Sequence, residues 1–295
     1  MYKNKLKNKN IVFLGLIQNS EKTLKYFLKF YNQIKKNYKN CYLIIGENGS
    51  KDNTLNLLKD FKKVDKNFII VDTSFSEKYK YRMEKMSNLR QSVKDKVKSI
   101  KKKIDYVCWF DLDDVIHNSL SLNKFYKSNL KLINNPNLFG ISSSSKPYYY
   151  DVLSFRKNNF YTKNIYPISL EKNIFTGYKL RKKFIYDIQK KITYSQNLHT
   201  ISSFNGMCIY HFKYFKLGSY IDKKRVIRSQ VEHVTFNNEH VIFNKKINAK
   251  TKKYILIDND FCMNLPYEHK PYNNFLGFCF GKGYLYLINF IKNLT

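Results

Sequence analysis

Three carboxylates follow an apolar run near the middle of the chain, and their spacing suits the binding of a cation. Asp111, Asp113 and Asp114 come directly after residues 104–110, which are rich in aromatic and β-branched side chains and predict a buried strand. Asp111 and Asp113 alternate along an extended backbone and share a face, whereas Asp114 points away unless the chain turns there. Carboxylates this close repel one another unless a cation or a donor offsets them. The pattern indicates a hard metal ion bound with an anionic ligand; a solvated acidic turn is the alternative.

Polar side chains also follow the first two predicted strands, residues 11–17 and 41–46. The first strand is followed by Gln18-Asn19, and the second by Glu47-Asn48. Because the carboxyl ends of parallel strands meet at one edge of an open sheet, where ligands bind, we expect these side chains to lie near the three carboxylates. The chain contains neither a Gly-x-Gly-x-x-Gly motif nor a phosphate-binding P-loop motif. A diphosphate bound at this edge would therefore need a carboxylate-bound divalent cation to offset its charge.

The elements that position these residues alternate between strands and helices. A third strand is predicted at residues 68–71, and the run before Asp111 forms the fourth. Helices are predicted after Ser20, which is a plausible N-cap, and at residues 55–61 and 82–100. Four strands alternating with three helices indicate an α/β fold with a mostly parallel central sheet flanked by helices.

The second half of the chain has a weaker pattern. Residues 138–142 predict a strand, 147–156 a strand or hairpin, and 232–236 a short helix or turn. The basic, aromatic stretch 157–199 is poorly periodic and is interpreted as an insertion or lid. We expect one catalytic domain over residues 1–260, with halves 10–116 and 117–260. The aromatic tail 261–295 would then pack on the domain or lie against a membrane.

The composition indicates a globular protein with a strongly positive surface. The 295 residues are 43% hydrophobic and carry a formal net charge of +32. Only six of the 54 basic residues are arginine, and Asn, Tyr, Ile and Phe are abundant, which points to a coding bias toward A/T-rich codons rather than to a nucleic-acid partner. The charge suits a phosphate-bearing ligand or weak contact with anionic lipid.

The cysteines and the hydropathy pattern bear on location. The five cysteines are widely spaced and form no Cys-x-x-Cys pair, which favours buried thiols in a reducing compartment and argues against a zinc site. No signal peptide is recognisable, and no stretch approaches the roughly 18 apolar residues of a membrane span. We therefore expect a cytoplasmic protein, or one attached peripherally to a membrane.

Several of these segments together resemble glycosyltransferases of the GT-A fold. The resemblance rests on Gln18-Asn19-Ser20, on residues 47–54 (Glu-Asn-Gly-Ser-Lys-Asp-Asn-Thr), and on the Asp-x-Asp-Asp run at 111–114. Further segments resemble the fungal capsule-associated mannosyltransferase-like group within that fold. They are Arg82 with Met86-Ser87-Asn88-Leu89-Arg90, Tyr149-Tyr150-Asp151 with Arg156, Ser203-Phe204-Asn205-Gly206, and Glu232-His233-Val234-Thr235-Phe236. The resemblance covers about residues 10–260. One departure is Gln91, which follows Arg90 where the group tends to have asparagine.

The resemblance implies a nucleotide-sugar donor, UDP- or GDP-linked, held through Mn²⁺ or Mg²⁺. The metal pair is Asp111 with Asp113 or Asp113 with Asp114, so Asp113 belongs to both, and His233 is a further candidate ligand. Candidate donor-binding residues lie on the strand-end loops and on the helix before the acidic run: Gln18, Asn19, Glu47, Asn48, Arg82, Arg90 and Asp111.

The resemblance also implies roles on the acceptor side. Glu232 would serve the acceptor hydroxyl as a base or a positioning group, with His233 beside it. Asp151 is a third catalytic candidate and, with Arg156, would bind the acceptor or the donor sugar. The acceptor would be a glycan, a lipid-linked or a protein hydroxyl, and no specific nucleic acid is expected.

Two other functions fit part of the sequence. Residues 110–116 also resemble the first motif of haloacid-dehalogenase-type phosphatases, in which Asp111 would be the nucleophile and Asp113 the acid/base. That motif usually lies on the first strand of its domain, and Asp258-Asn259-Asp260 is a poor match to the later acidic motif. A basic protein that binds nucleic acid or anionic lipid is the second alternative. It leaves the acidic strand end unexplained.

Overall fold

The central element is one mixed sheet of eight strands, counted over the residues that the computed structural model describes. These are residues 5–113, 115–116, 120–157, 174–221, 238–266, 269–272 and 274–281. The strand order is β3-β2-β1-β4-β7-β5-β8-β6. Strands β1 to β4 are mutually parallel, β7 is antiparallel to its neighbours β4 and β5, and β6 is antiparallel to β8. The predicted α/β fold with a mostly parallel central sheet flanked by helices is confirmed.

The strands are β1 (Asn10–Ile17), β2 (Asn40–Glu47), β3 (Phe68–Asp72), β4 (Tyr106–Asp111), β5 (Leu138–Ser145), β6 (Leu198–Thr200), β7 (Met207–His211) and β8 (Tyr254–Met263). The helices are α1 (Glu21–Lys35), α2 (Thr54–Val64), α3 (Arg82–Lys96), α4 (Leu122–Asn134), α5 (Ile174–Arg181), α6 (Asp187–Tyr194), α7 (Phe212–Phe215), α8 (Glu239–Thr251) and α9 (275–281). A π-helical segment, Lys182–Tyr186, joins α5 to α6. Short 3₁₀ segments lie at Ser74–Lys78 and Val97–Ser99.

Both faces of the sheet are covered, because successive side chains of a strand point to opposite sides. Along β1, Ile11 and Phe13 pack into the cluster under α1, α2 and α4, whereas Val12 and Leu14 pack into the cluster under α3 and α8. All four side chains are fully buried. This two-sided burial explains why the parallel strands have continuous apolar sequences rather than alternating ones.

The N-terminus of α1 agrees with the sequence in position but not in its cap. The helix starts directly after Ser20, as predicted, yet the Ser20 side chain makes no capping hydrogen bond. Its hydroxyl donates instead to the carbonyl of Gln18, at 2.9 Å. Ser121 and Asn238, which precede α4 and α8, do accept hydrogen bonds from the first turns of their helices.

One expectation for the second half of the chain needs correction. Residues 147–156 form turns rather than a strand or hairpin, with a bridge between Arg156 and Ser202. Within the stretch interpreted as an insertion or lid, residues 174–194 are helical, because Ile185 and Ile192 pack with Phe155 in a local apolar cluster. Strand β8 extends to Met263, and the domain bounds 1–260 stay a prediction.

The described part of the tail packs on the domain. In α9, Phe278 is buried, and the ring of Phe275 lies 4.9 Å from Phe175 and 5.6 Å from Tyr178. Leu276 and Phe280 on the same helix are exposed, and the contact with anionic lipid stays a prediction. None of the helices in the described ranges is long and apolar enough to cross a membrane. All five cysteines are free thiols, and Cys41 and Cys108 are buried as expected.

Candidate functional site

A cavity of about 200 Å³ lies beside the carboxyl end of β4. Helix α3, the end of β4, the turn after β5 and the start of α8 each contribute to its wall. Five of the side chains predicted from the sequence line it: Arg82, Arg90, Asp111, Asp113 and Asp151. Residues that are far apart in the chain therefore meet at the edge of the sheet where ligands of α/β proteins bind.

Arg90 connects two of the carboxylates in this cavity. Its Nη2 donates to Asp111 Oδ1 at 2.8 Å, and its Nε donates to Glu239 Oε1 at 3.0 Å. The Arg90 and Glu239 side chains are almost fully buried, and about a quarter of the Asp111 side chain is exposed. The guanidinium also lies 5.1 Å from the ring centroids of Trp109 and Phe204. Arg90 thus fixes Asp111 and Glu239 in place, whereas the sequence predicted it as a donor-binding residue.

The protonation of Arg90 follows from this environment. Burial alone would lower its pKa, but the adjacent carboxylates of Asp111 and Glu239 outweigh burial and raise the pKa. The guanidinium therefore carries its charge at any pH at which the protein is folded. Arg82, at the first turn of α3, is exposed and reaches the same cavity.

The turn between residues 203 and 207 positions two of the carboxylates. Asn205 and Gly206 both have positive φ, 54° and 83°. The side-chain oxygen of Asn205 accepts from the backbone N–H groups of Tyr150 and Asp151, at 3.0 and 3.2 Å. The Gly206 carbonyl accepts from Asp111 N at 2.9 Å. A Cβ on Gly206 would lie 2.9 Å from the Tyr150 hydroxyl, so only glycine fits the turn without displacing the cavity wall.

Asp151 has an unusually high pKa for a carboxyl group. Burial raises its pKa to about 6, and the nearby charges of Asp111 and Glu239 also raise it, against the lowering effect of its hydrogen bond with Ser154. A carboxyl group with this pKa is mostly ionised at neutral pH and still takes up a proton readily. Arg156, its predicted partner, is buried elsewhere and donates to the carbonyls of Leu153 and Phe155.

Sequence reasoning did not identify Tyr150, Glu239 and His240 as functional candidates, although all three line the cavity. Burial and the surrounding carboxylates, Asp111 first among them, raise the pKa of Tyr150, which keeps its hydroxyl protonated. One signal for the other two was available. The tripeptide Glu-His-Val occurs twice, at 232–234 and at 239–241, and only the first copy was considered. Glu232 and His233, like Asp114, lie outside the described residues.

The loops after β1 and β2 contact each other, as predicted; β1 is the neighbour of β4 in the sheet, and β2 lies one strand further away. In the sheet, Leu16 is paired with Asp111 and Ile17 with Glu47. Gln18 Nε2 donates to the carbonyl of Asn48 at 2.7 Å. Asn19 forms hydrogen bonds with Ser50 and Lys51 in the facing loop: its N–H donates to Ser50 Oγ, and its Oδ1 accepts from Lys51 N.

Glu47 is buried at the base of this pair of loops. Its two carboxylate oxygens accept from the backbone N–H groups of Gly49 and Ser50, at 3.0 and 2.6 Å. Its backbone carbonyl accepts from Thr73. If Glu47 binds the donor as predicted, it would use carboxylate lone pairs that these two hydrogen bonds leave free.

The donor set in the cavity suits a hard cation. Asp111 and Asp113 present carboxylate oxygens, which Mg²⁺ and Mn²⁺ prefer. Within the described residues, no group of three or more His, Cys, Asp or Glu side chains is arranged to hold a metal ion. Mg²⁺ is commonly bound through one or two carboxylates plus phosphate oxygens of a substrate. The two aspartates therefore fit a cation that is shared with a phosphate ligand.

The acidic motif of the phosphatase alternative lies elsewhere. Asp258 and Asp260 are on β8, where both contact Lys131 Nζ, at 2.8 and 2.7 Å. They line a different groove from Asp111 and Asp113. The arrangement therefore disfavours a phosphatase site that combines these two acidic segments.

Solved structures similar to this chain include S. aureus TarS 1–349 in complex with UDP-GlcNAc, with a TM-score of 0.43, 13% identity, and coverage of 90% of this chain and 60% of that one. A second is the mannosyltransferase PcManGT from Pyrobaculum calidifontis in complex with GDP-Man and Mn²⁺, with a TM-score of 0.48, 10% identity, and coverage of 91% of this chain and 59% of that one. A third is glucosyl-3-phosphoglycerate synthase from Mycobacterium tuberculosis in complex with Mn²⁺, UDP and phosphoglyceric acid, with a TM-score of 0.40, 12% identity, and coverage of 73% of this chain and 60% of that one. This chain therefore spans about 60% of the length of these structures. No protein-family model and no curated protein matches the chain.

Proposed function

We propose that this chain is a metal-dependent glycosyltransferase that moves a sugar from a UDP- or GDP-linked donor to a hydroxyl acceptor. The observation that carries the proposal is the content of the cavity beside β4. Two carboxylates suited to a cation, an exposed arginine and a carboxyl group with a pKa of about 6 line the same 200 Å³ space. Transfer from a nucleotide sugar requires these functions together: charge compensation at the leaving diphosphate and a proton acceptor for the incoming hydroxyl.

On the donor side, Asp111 and Asp113 would hold Mn²⁺ or Mg²⁺ against the diphosphate, with Asp114 as the alternative partner of Asp113. The cation offsets the negative charge that grows on the leaving diphosphate. Arg82 would add a second positive charge, and Arg90 would keep the Asp111 carboxylate oriented through the 2.8 Å hydrogen bond. The nucleoside would lie over the neighbouring loops that carry Gln18, Asn19, Glu47 and Asn48.

On the acceptor side, Asp151 would accept the proton of the attacking hydroxyl. Its backbone N–H is held by Asn205 and its Oδ1 accepts from Ser154 N at 3.3 Å, so the carboxylate is oriented before a ligand binds. Its pKa of about 6 leaves most molecules ionised at neutral pH. Glu232 and His233 remain predictions for the same side of the site. The acceptor is proposed only as a class: a glycan, lipid-linked or protein hydroxyl.

The test is hydrolysis of a panel of nucleotide sugars with Mn²⁺ by the wild type and by Asp113→Asn. Asparagine keeps the size of the side chain and removes the charge. We expect hydrolysis to fall on the order of 10²–10³-fold with an unchanged melting temperature. Asp60→Asn is the matched control, because Asp60 is an exposed helix residue paired with Lys63 and should leave the rate unchanged.

Full activity of Asp113→Asn would refute the metal assignment. A wild type that neither hydrolyses nor binds any nucleotide sugar in the presence of Mn²⁺ or Mg²⁺ would refute the proposed function itself.

A further inference from the structure

His240 is a buried side chain whose two ring nitrogens form no hydrogen bond within the described part of the chain. It follows Glu239 at the start of α8, and the residue is 1% exposed. Its ring stacks on Phe204, with the centroids 3.7 Å apart and the planes 16° apart, and the Tyr220 ring meets it edge-on at 5.9 Å. Both ring nitrogens, Nδ1 and Nε2, are buried without a hydrogen bond. The nearest carboxylate oxygen, on Glu239, is 3.8 Å from Nε2.

This arrangement is unfavourable for a residue with a purely structural role. A neutral imidazole has one N–H donor and one acceptor nitrogen, and buried polar groups in folded proteins are normally satisfied. Burial, followed by the charge of Arg90, lowers the pKa of His240 well below its usual range, so protonation does not relieve the problem. His240 therefore brings one unpaired donor and one unpaired acceptor to a residue that lines the cavity.

Two other groups of the same wall are also unpaired. Arg90 Nη1 and the Tyr150 hydroxyl are buried without hydrogen-bond partners, and both residues line the cavity with His240. The carboxylates of Asp111, Asp113 and Asp151 line the same cavity. The cavity therefore offers both donors and acceptors, which suits a neutral ligand whose groups can both donate and accept. Hydroxyl groups do this, whereas an anion needs a bound cation to offset the three carboxylates.

The volume of the cavity also limits the size of the ligand. Pockets for drug-sized ligands are roughly 300–1,000 Å³, and this one is about 200 Å³. The cavity therefore suits one ring with its hydroxyl groups and is too small for a complete nucleotide sugar.

We propose that His240 binds a hydroxyl group of the transferred sugar ring and determines which sugar the site accepts. The inference rests on the proposed function and adds a specificity-determining residue to it. It assigns the sugar-facing role to the second Glu-His-Val copy, at residues 239–241.

The experiment compares His240→Phe, His240→Gln and the wild type. Phenylalanine keeps the stacked ring and removes both nitrogens, so the melting temperature should stay the same or rise, because two unsatisfied polar atoms are lost. With the best nucleotide sugar of the panel, kcat/KM should fall about tenfold or more. The affinity for the nucleoside diphosphate alone with Mn²⁺ should stay within about twofold. Glutamine, with one donor and one acceptor, should restore part of the activity and change the ranking of the sugars.

Two results would overturn the inference while leaving the proposed function standing. One is unchanged kinetics in His240→Phe. The other is an equal loss of sugar and nucleoside diphosphate binding together with a lower melting temperature, which would show a structural role. Loss of activity in His233→Phe but not in His240→Phe would likewise place the role on the first copy of the tripeptide.

A second measurement tests the inference independently of the proposed activity. Saturation-transfer NMR with a panel of free monosaccharides should show binding to the wild type and to His199→Phe, an exposed control histidine, but not to His240→Phe. If the wild type turns over no nucleotide sugar yet shows this pattern, the inference stands without the proposed activity. If the wild type binds no monosaccharide by either measurement, the inference is overturned.

Discussion

The two polar regions at the edge of the sheet differ in how their hydrogen-bonding groups are used. In the loops after β1 and β2, the side chains of Gln18, Asn19 and Glu47 bond to the facing loop or to their own turn. The side chain of Asn48 accepts from Ser76 in the 3₁₀ segment after β3. In the cavity beside β4, by contrast, Arg90 Nη1, the Tyr150 hydroxyl and both His240 nitrogens are unpaired. The first region is complete without a ligand, and the second is not.

This difference distinguishes side chains that support the fold from side chains that are available to bind a ligand. Satisfied loops of this kind form a rigid support, and the fold accounts for the hydrogen bonds that their polar side chains make. Unpaired buried groups and crowded carboxylates reduce stability, and natural proteins tolerate such features mainly at functional sites. Polar character alone therefore does not mark the ligand-contacting residues. The hydrogen bonds that the fold leaves unmade are a better guide.

The largest loss of stability is expected for a substitution that breaks the ion pairs of Arg90 in the cavity. Arg90→Met removes the cation between Asp111 and Glu239 and leaves buried carboxylates without a partner. We expect the free energy of unfolding, measured in urea, to fall by about 3–5 kcal/mol. Arg90→Lys keeps the positive charge but cannot donate to Asp111 and Glu239 in the same geometry. Its free energy of unfolding should lie between those of Arg90→Met and the wild type. A loss below about 1 kcal/mol for Arg90→Met, the range of exposed ion pairs, would show that the network is not buried.

The second effect is a pH dependence located at Asp151. Because its pKa is raised from 3.8 to about 6 by burial and by Asp111 and Glu239, the native state binds a proton more tightly than the unfolded chain. Stability should therefore fall as pH rises from about 4 to about 6 and stay lower above that. Asp151→Asn cannot ionise and therefore lacks this pH-dependent loss of stability. Without divalent cations, its free energy of unfolding should match that of the wild type near pH 4 and exceed it near pH 7, by up to about 3 kcal/mol.

Urea unfolding of both proteins at several pH values between 4 and 7 provides the measurement. A difference between variant and wild type that does not change with pH would show that Asp151 ionises as an ordinary carboxyl group.

A smaller effect is expected in the satisfied region. Glu47→Gln keeps one acceptor oxygen but turns an NH₂ group toward one of the N–H donors of Gly49 and Ser50. The free energy of unfolding should fall by about 1–2 kcal/mol. If Glu47 only supports the loop, nucleotide affinity should fall in proportion to the loss of stability. A loss of affinity with unchanged stability would instead indicate direct contact with the nucleoside.

The smallest changes in stability are expected at two helix N-termini, one in each region. Asn238 accepts from His240 N at 2.9 Å, so Asn238→Ala should lower the free energy of unfolding by about 1 kcal/mol. Ser20 makes no capping hydrogen bond, so Ser20→Ala should change it by less than about 0.5 kcal/mol. Equal losses in the two variants would contradict the observed difference in capping.

The first half of the fold could be predicted because its signals are local. Strands β1 to β4 and the helices between them follow from apolar runs and helical spacing, with boundaries within a few residues of those observed. The neighbourhood of the loops after β1 and β2 followed from the rule that parallel strands end at one edge. Residues 174–194 could not be recognised as helical in the same way. Their packing partner Phe155 and the tail residues Phe275 and Phe278 come from other parts of the chain.

The sequence by itself determined the α/β fold of the first half and the position of Asp111 and Asp113 at a strand end. Only the tertiary structure decided that Arg90 bonds to Glu239, 149 residues away in the chain, and that β7 lies between β4 and β5. It also brought the buried His240 and the exposed His269 to the same cavity wall. The physical reason is range: strand and helix patterns are set by neighbouring residues, whereas burial and hydrogen-bond satisfaction depend on which distant segments meet.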